Sequence, residues 1–154
     1  MKKLLFSALI ATSLFACKSE TKPAFDLTNA KKEIEAANVS LFDLITKGDS
    51  VGAANAYTKD GKFMPAYMPA VEGTKNLTSF WGGFIKNVGG VISLTTLEVW
   101  GDENYITEEG LFEIKSKEGA QIDKGKYLVL WKKEDGKWKL HRDIATTDIP
   151  LATK

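Results

Sequence analysis

The pair Asp135-Gly136 constrains this chain more than any other feature. It separates two β-rich runs between Lys124 and Thr147, K-G-K-Y-L-V-L-W-K-K-E and K-W-K-L-H-R-D-I-A-T-T. Asp-Gly between alternating apolar runs is a strong hairpin signal, because both turn residues must adopt positive φ. A two-residue loop sets Glu134 opposite Lys137 and, counting outward, Trp131 opposite Leu140. Side chains alternate across a strand, so this count predicts one shared face for Tyr127, Val129, Trp131, Trp138, Leu140, Arg142 and Ile144. That face is apolar and aromatic, with Arg142 as its single cation, and it needs a cover.

The preceding residues can supply one. Ile34, Ala37, Leu41, Leu44 and Ile45 recur at helical spacing, which predicts a helix from about Thr28 to Lys47, capped by Asp26 or Thr28 and ended by Gly48. Asp49 is placed to cap a short second helix through Ala53, Ala54 and Tyr57. Lys62-Phe63-Met64 reads as a short strand stopped by Pro65, and Pro65 to Gly73 as a loop rich in apolar side chains. Thr74 is expected to cap a third helix running to Val88, with Leu77, Phe80, Trp81, Phe84, Ile85 and Val88 on one helical stripe. After Gly90 the period changes to two, predicting strands at about Val91–Trp100, Asn104–Lys117, Ile122–Lys133 and Lys137–Thr147. Three N-terminal helices followed by consecutive long strands imply an α+β fold, the helices covering one face of an antiparallel β-sheet meander.

The first residues carry an address. Lys2 and Lys3 precede the apolar run Leu4 to Phe15, which is too short for a comfortable membrane span. It ends in L-F-A-C, similar to a bacterial lipobox. The likeness implies a signal peptide over residues 1–16, lipid on Cys17 and a polar tether through residue 26, leaving a domain over residues 27–150. The alternative is an ordinary secretory signal. Lys18 after the cysteine favours the outer membrane of the cell envelope. Cys17 is the chain's one cysteine, so no internal disulfide can form. With 21 basic against 20 acidic residues, no nucleic-acid partner is implied electrostatically.

Helices followed by Y-T-K-D-G-K-F, then E-G-T-K-N-L-T-S-F-W, then strands ending D-K-G-K-Y-L-V-L-W-K-K-E-D-G-K-W-K-L-H-R-D-I, resemble the SnoaL-like branch of the nuclear transport factor 2-like superfamily. The resemblance spans about Leu27 to Asp148. It implies a cone: a curved sheet around helices, a pocket at the open end, and frequent dimerisation through the sheet's other face. The superfamily hosts isomerases, dehydratases, cyclases and non-catalytic binding modules, so function has to be argued from the site. Isomerase-type members carry an Asp base just after the first strand. This chain has Met64, Pro65 and Ala66 there, none able to abstract a proton.

Weaker catalytic candidates remain. Asp60 is the nearest acid, although Asp60-Gly61 also reads as a turn. His141 and Asp143 stand two apart, on the face opposite Trp131 by the hairpin count. They form either a base pair for catalysis or part of a sheet surface or dimer interface. One His with scattered carboxylates is a poor metal-ligand set, and no cofactor is implied. Arg142, on the aromatic face, either pairs with a buried acid such as Glu98 or Glu108 or holds a ligand carboxylate. Tyr57, Met64, Tyr67, Met68, Trp81, Tyr127 and Trp131 are candidate pocket residues. Tyr67 and Met68 stand out because they lie in a loop, where core packing is less expected. The leading expectation is a lipid-anchored module, a homodimer as the resemblance implies, that binds a small apolar or amphipathic molecule. The competing ones are a SnoaL-like acid–base enzyme and a non-catalytic, dimerising assembly subunit.

Overall fold

The computed structural model describes residues 24–150. The predicted signal peptide, Cys17 and most of the tether lie outside them. Helix α1 (Leu27–Thr46) is capped by Asp26, whose carboxylate accepts from the Asn29 N–H at 3.0 Å. It buries Ala30, Ile34, Asn38, Leu41 and Ile45. Asp49 caps α2 (Ser50–Asn55) by accepting from the Gly52 N–H. Strand β1 (Tyr57–Met64) starts earlier than its apolar residues imply, so Tyr57 is a strand residue and not helical. A two-residue strand β2 (Val71–Glu72) leads into α3 (Gly73–Asn87), which Thr74 enters as its second residue and does not cap.

Four long strands follow: β3 (Val91–Gly101), β4 (Tyr105–Lys115), β5 (Gln121–Glu134) and β6 (Lys137–Thr147). Together they form one six-stranded sheet in the order β2-β1-β6-β5-β4-β3. The strands β3 to β6 pair antiparallel in succession, and β1 pairs antiparallel with β2, as their short connections require, but β1 lies parallel to β6. The sheet is therefore mixed, not antiparallel throughout. The chain between β1 and β6 is long enough to return in the same direction, and local turn signals carry no information about that pairing.

Register shifts interrupt the β1–β6, β3–β4, β4–β5 and β5–β6 ladders. Such bulges bend and twist the strands that carry them. The helices sit in the resulting concavity, and the core runs from Ile34 and Leu41 of α1 through Leu77 and Trp81 of α3 to Ile106, Val129, Trp131 and Leu140 of the sheet.

The hairpin turn forms as its dipeptide demands, with φ of 52° at Asp135 and 75° at Gly136. Trp131 faces Leu140. Two residues further the ladder slips: Leu130 pairs with Arg142, and His141 is the extra residue of a bulge. Beyond it every side chain of β6 changes face. Asp143 and Ala145 turn inward, whereas Ile144 is exposed and Arg142 lies outside. The predicted shared face therefore holds for Tyr127, Val129, Trp131, Trp138 and Leu140 and fails for Arg142 and Ile144.

Candidate functional site

A cavity of about 300 Å³ opens between α1, α3 and the concave face of the sheet. One wall is a packed set of rings. Phe63 of β1 stacks on Trp81 of α3 with centroids 5.8 Å apart, and Phe80 meets both edge-on at 5.1 and 5.2 Å. Phe84 closes on Trp81 from the next helical turn. The facing wall comes from Ile92, Leu94, Phe112 and Ile114 of β3 and β4. At the mouth, the loop after β1 contributes Pro65, Ala66, Tyr67 and Met68. Tyr67 is 67% and Met68 55% exposed, and Tyr67 has φ of 60°, an uncommon conformation for a side chain other than glycine.

The polar end lies where β1, β5 and β6 meet. Asp143 is 8% exposed and lines the cavity, accepting a 2.7 Å hydrogen bond from the Tyr57 phenol at Oδ2. Burial pushes its carboxyl up to about 7, the charge of Glu108 adds to this, and the Tyr57 hydrogen bond offsets part. The same contact, with burial as the larger cause, raises the Tyr57 phenol well above its ordinary value. The Trp81 indole N–H is buried without a hydrogen-bond partner and lies beside that phenol.

Behind this wall sits Glu108 of β4, fully buried. Its carboxylate accepts from Asn38 Nδ2 at 3.0 and 3.2 Å, Thr96 Oγ1 at 2.7 Å, Tyr127 Oη at 2.8 Å and Trp131 Nε1 at 2.8 Å. Four neutral donors and no cation hold it. Tyr127 reaches it across Gly110, where a Cβ would stand 2.4 Å from the phenol oxygen. Burial and the Glu108 charge raise the Tyr127 phenol well above its ordinary value.

The expected pocket residues divide accordingly. Tyr57, Tyr67, Met68, Trp81 and Tyr127 line the cavity. Met64 does not, and Trp131 lies beneath the wall as a donor to Glu108. Arg142 is not in the cavity at all: the bulge at His141 turns it to the outer face, where Nη1 donates to the carbonyls of Asp60 and His141 and approaches His141 Nδ1. Neither Glu98 nor Glu108 pairs with it.

The three acid–base candidates separate in the same way. His141 and Asp60 lie on the outer face, with Thr58 Oγ1 between them, 3.0 Å from His141 Nδ1 and 3.1 Å from Asp60 Oδ1. Burial, then the nearby Arg142 charge, lowers the His141 pKa, and the Thr58 hydrogen bond lowers that of Asp60. Asp143, assigned to that same outer face from sequence, stands instead inside the cavity.

Sequence reasoning passed over Asn38 as a site residue and considered Glu108 only as a partner for Arg142. Both break an apolar pattern. Asn38 interrupts the stripe Ala30, Ile34, Leu41, Ile45, and Glu108 falls between Ile106 and Gly110 on the inward face of β4. A polar residue on a buried stripe needs partners, and that was the available signal. Among the described residues no group of His, Cys, Asp and Glu is arranged to hold a metal.

No protein-family model matches the chain, and no curated protein matches it. Solved structures do. A protein of unknown function with a cystatin-like fold from Nostoc punctiforme superposes with a TM-score of 0.74 at 16% identity, covering 84% of this chain and 98% of that one. An NTF2-like protein with a cystatin-like fold from Novosphingobium aromaticivorans gives 0.72 at 14%, covering 82% and 86%. A ketosteroid isomerase-like protein from Erwinia carotovora atroseptica gives 0.62 at 20%, covering 77% and 96%. The chain thus has the NTF2-like, cystatin-like cone fold, with helices packed against a curved six-stranded mixed sheet.

Proposed function

We propose that this protein is a binding module that encloses a small, mostly apolar molecule with one polar end, and that lipid on Cys17 holds it at the cell envelope. The observation that carries the binding reading is the cavity itself: aromatic and aliphatic walls, an apolar loop at the mouth, and a few polar groups in the lining, among them the hydrogen-bonded pair Asp143 and Tyr57. A core of this size has no packing reason to leave such a space open, since close-packed interiors keep few voids larger than a water molecule. An anionic headgroup, expected when Arg142 was placed in the pocket, no longer has a partner there.

Saturable binding of the neutral probe 1-aminoanthracene tests this reading. The full chain is expected to bind one equivalent with a rise in probe fluorescence. Ala145→Phe, which fills the cavity from β6, is expected to weaken it at least about tenfold, the scale of one well-placed apolar contact set, with unchanged far-ultraviolet circular dichroism. Absence of saturable binding in the unaltered chain would remove the proposal.

A second reading, acid–base catalysis, is favoured by one observation: Asp143 combines a pKa near neutrality with a place in the cavity wall. Its marker is deuterium exchange at the α-carbon of a bound ketone, faster with the unaltered chain than with Asp143→Asn. Asp60 and His141 face away from the cavity and take no part in this reading.

A further inference from the structure

The cavity has an unbalanced charge. Its lining includes Asp143 and, on β5, Asp123, and Glu108 lies directly behind, yet no Lys, Arg or His is among the lining residues. Glu108 is supplied with donors from four neutral side chains. Asp143 is not: Tyr57 serves Oδ2, and among the described residues Oδ1 accepts no hydrogen bond. A carboxylate oxygen in a largely apolar, ring-walled space, with a second carboxylate behind it, is an incomplete site. What it lacks is a donor, and the charge around it favours a positive one. The walls fit the same partner, because the faces of Trp, Tyr and Phe attract cations.

We propose that the cavity selects organic ammonium ions, an aryl- or alkylamine whose charged nitrogen donates to Asp143 Oδ1 while its apolar body lies along Phe63, Phe80 and Trp81. This rests on the binding reading above and supplies its ligand class. A neutral ligand would bring no charge to the open Asp143 Oδ1, and an anion would add to the negative charge of Asp143 and Glu108. An ammonium ion relieves their repulsion and replaces part of its lost hydration with a carboxylate and aromatic faces.

The groups facing Asp143 set the pH behaviour. Tyr57 comes from β1, Glu108 from β4, Tyr127 and the more distant Asp123 from β5; α1 and α3 bring Asn38 and Trp81, which do not titrate in this range. Both phenols are raised and stay protonated. With both phenols protonated, Asp143 changes its charge near neutrality. It is mainly ionised at about pH 8 and mainly protonated at about pH 5.5.

Calorimetric titration of the full chain with 4-phenylbutylamine, 4-phenylbutan-1-ol and 4-phenylbutyrate tests the inference, because the three share a body and differ in charge. At about pH 8 the amine is expected to bind about tenfold tighter than the alcohol, the scale of one charge-assisted hydrogen bond, with the carboxylate weakest. That lead should be lost at about pH 5.5. Asp143→Asn should erase it at both pH values, so that the variant no longer discriminates amine from alcohol. If this variant does not fold, the pH dependence of the amine-to-alcohol ratio in the unaltered chain decides the matter alone. Equal binding of amine and alcohol at about pH 8, or an amine preference that survives acidification or the Asn substitution, overturns the ammonium inference and leaves the cavity reading standing. Failure of all three probes to bind overturns both.

Discussion

Among the described residues Asp143 has one donor, one open oxygen and no counter-ion, and its burial has a cost that pH reveals. Its ordinary pKa is 3.8, and in the folded protein it stands at about 7. Between those values the native state holds a proton that the unfolded chain has released, so stability falls as pH rises through that window and levels off above it. The full penalty is on the order of 4 kcal/mol, at about 1.4 kcal/mol for each pH unit between the two values. Asp143→Asn keeps an acceptor for Tyr57 and removes the charge. The variant is expected to melt at a higher temperature than the unaltered chain at about pH 8, the gap closing towards pH 4, as followed by circular dichroism. A gap independent of pH would mean that Asp143 titrates as an exposed carboxylate does.

The β5–β6 hairpin is the element that both organises the fold and turns the site. Its turn and the Trp131–Leu140 pair were legible because Asp-Gly admits few alternatives and the alternation around it is regular. The bulge at His141 was not legible. It costs one unpaired residue and follows from how β6 meets β1 on its other edge, where Leu140 pairs with Tyr57 and Arg142 with Lys62. A single extra residue exchanged Arg142 for Asp143 in the cavity and so reversed the sign of its charge. Trp131 remains the hairpin's anchor, wholly buried and bonded to Glu108. Trp131→Ala is expected to cost roughly 3–5 kcal/mol through cavity formation alone, with further loss because Glu108 is left one donor short. Urea denaturation measures this, and a loss below about 1 kcal/mol would be incompatible with a buried ring.

At the scale of the whole molecule, the outer sheet face and the membrane address remain proposals. Leu128 and Ile144 face each other across β5 and β6, both exposed, with Leu111 on β4 on the same outer face. Ala145, the next residue of β6, lines the cavity instead. We propose that a second copy covers this face about a two-fold axis. Sedimentation equilibrium of the delipidated protein should give a dimer at micromolar concentration and a monomer for Leu128→Glu. A monomer in both would remove the proposal. For the address, Cys17→Ser is expected to abolish uptake of labelled fatty acid and release the protein from the membrane fraction; labelled, membrane-bound protein in the variant would exclude the lipobox reading.

Sequence alone determined what depends on neighbours along the chain. The caps at Asp26 and Asp49, the helical stripes of α1 and α3, the Asp135-Gly136 turn and the change of period after Gly90 are all local, and each reduces to the backbone and side-chain preferences of a few consecutive residues. Together they were enough to imply helices over one face of a sheet, with Tyr67 and Met68 set apart by their place in a loop; the curvature and the pocket were what the family resemblance implied. Only tertiary structure decided the parallel β1–β6 pairing, the bulge at His141 and the gathering of Asn38, Thr96, Tyr127 and Trp131 around Glu108. Those features join residues up to 86 positions apart, as Tyr57 and Asp143 are. Their energy comes from satisfying polar groups that have already been buried, and no local pattern encodes which distant partner will be there to do it.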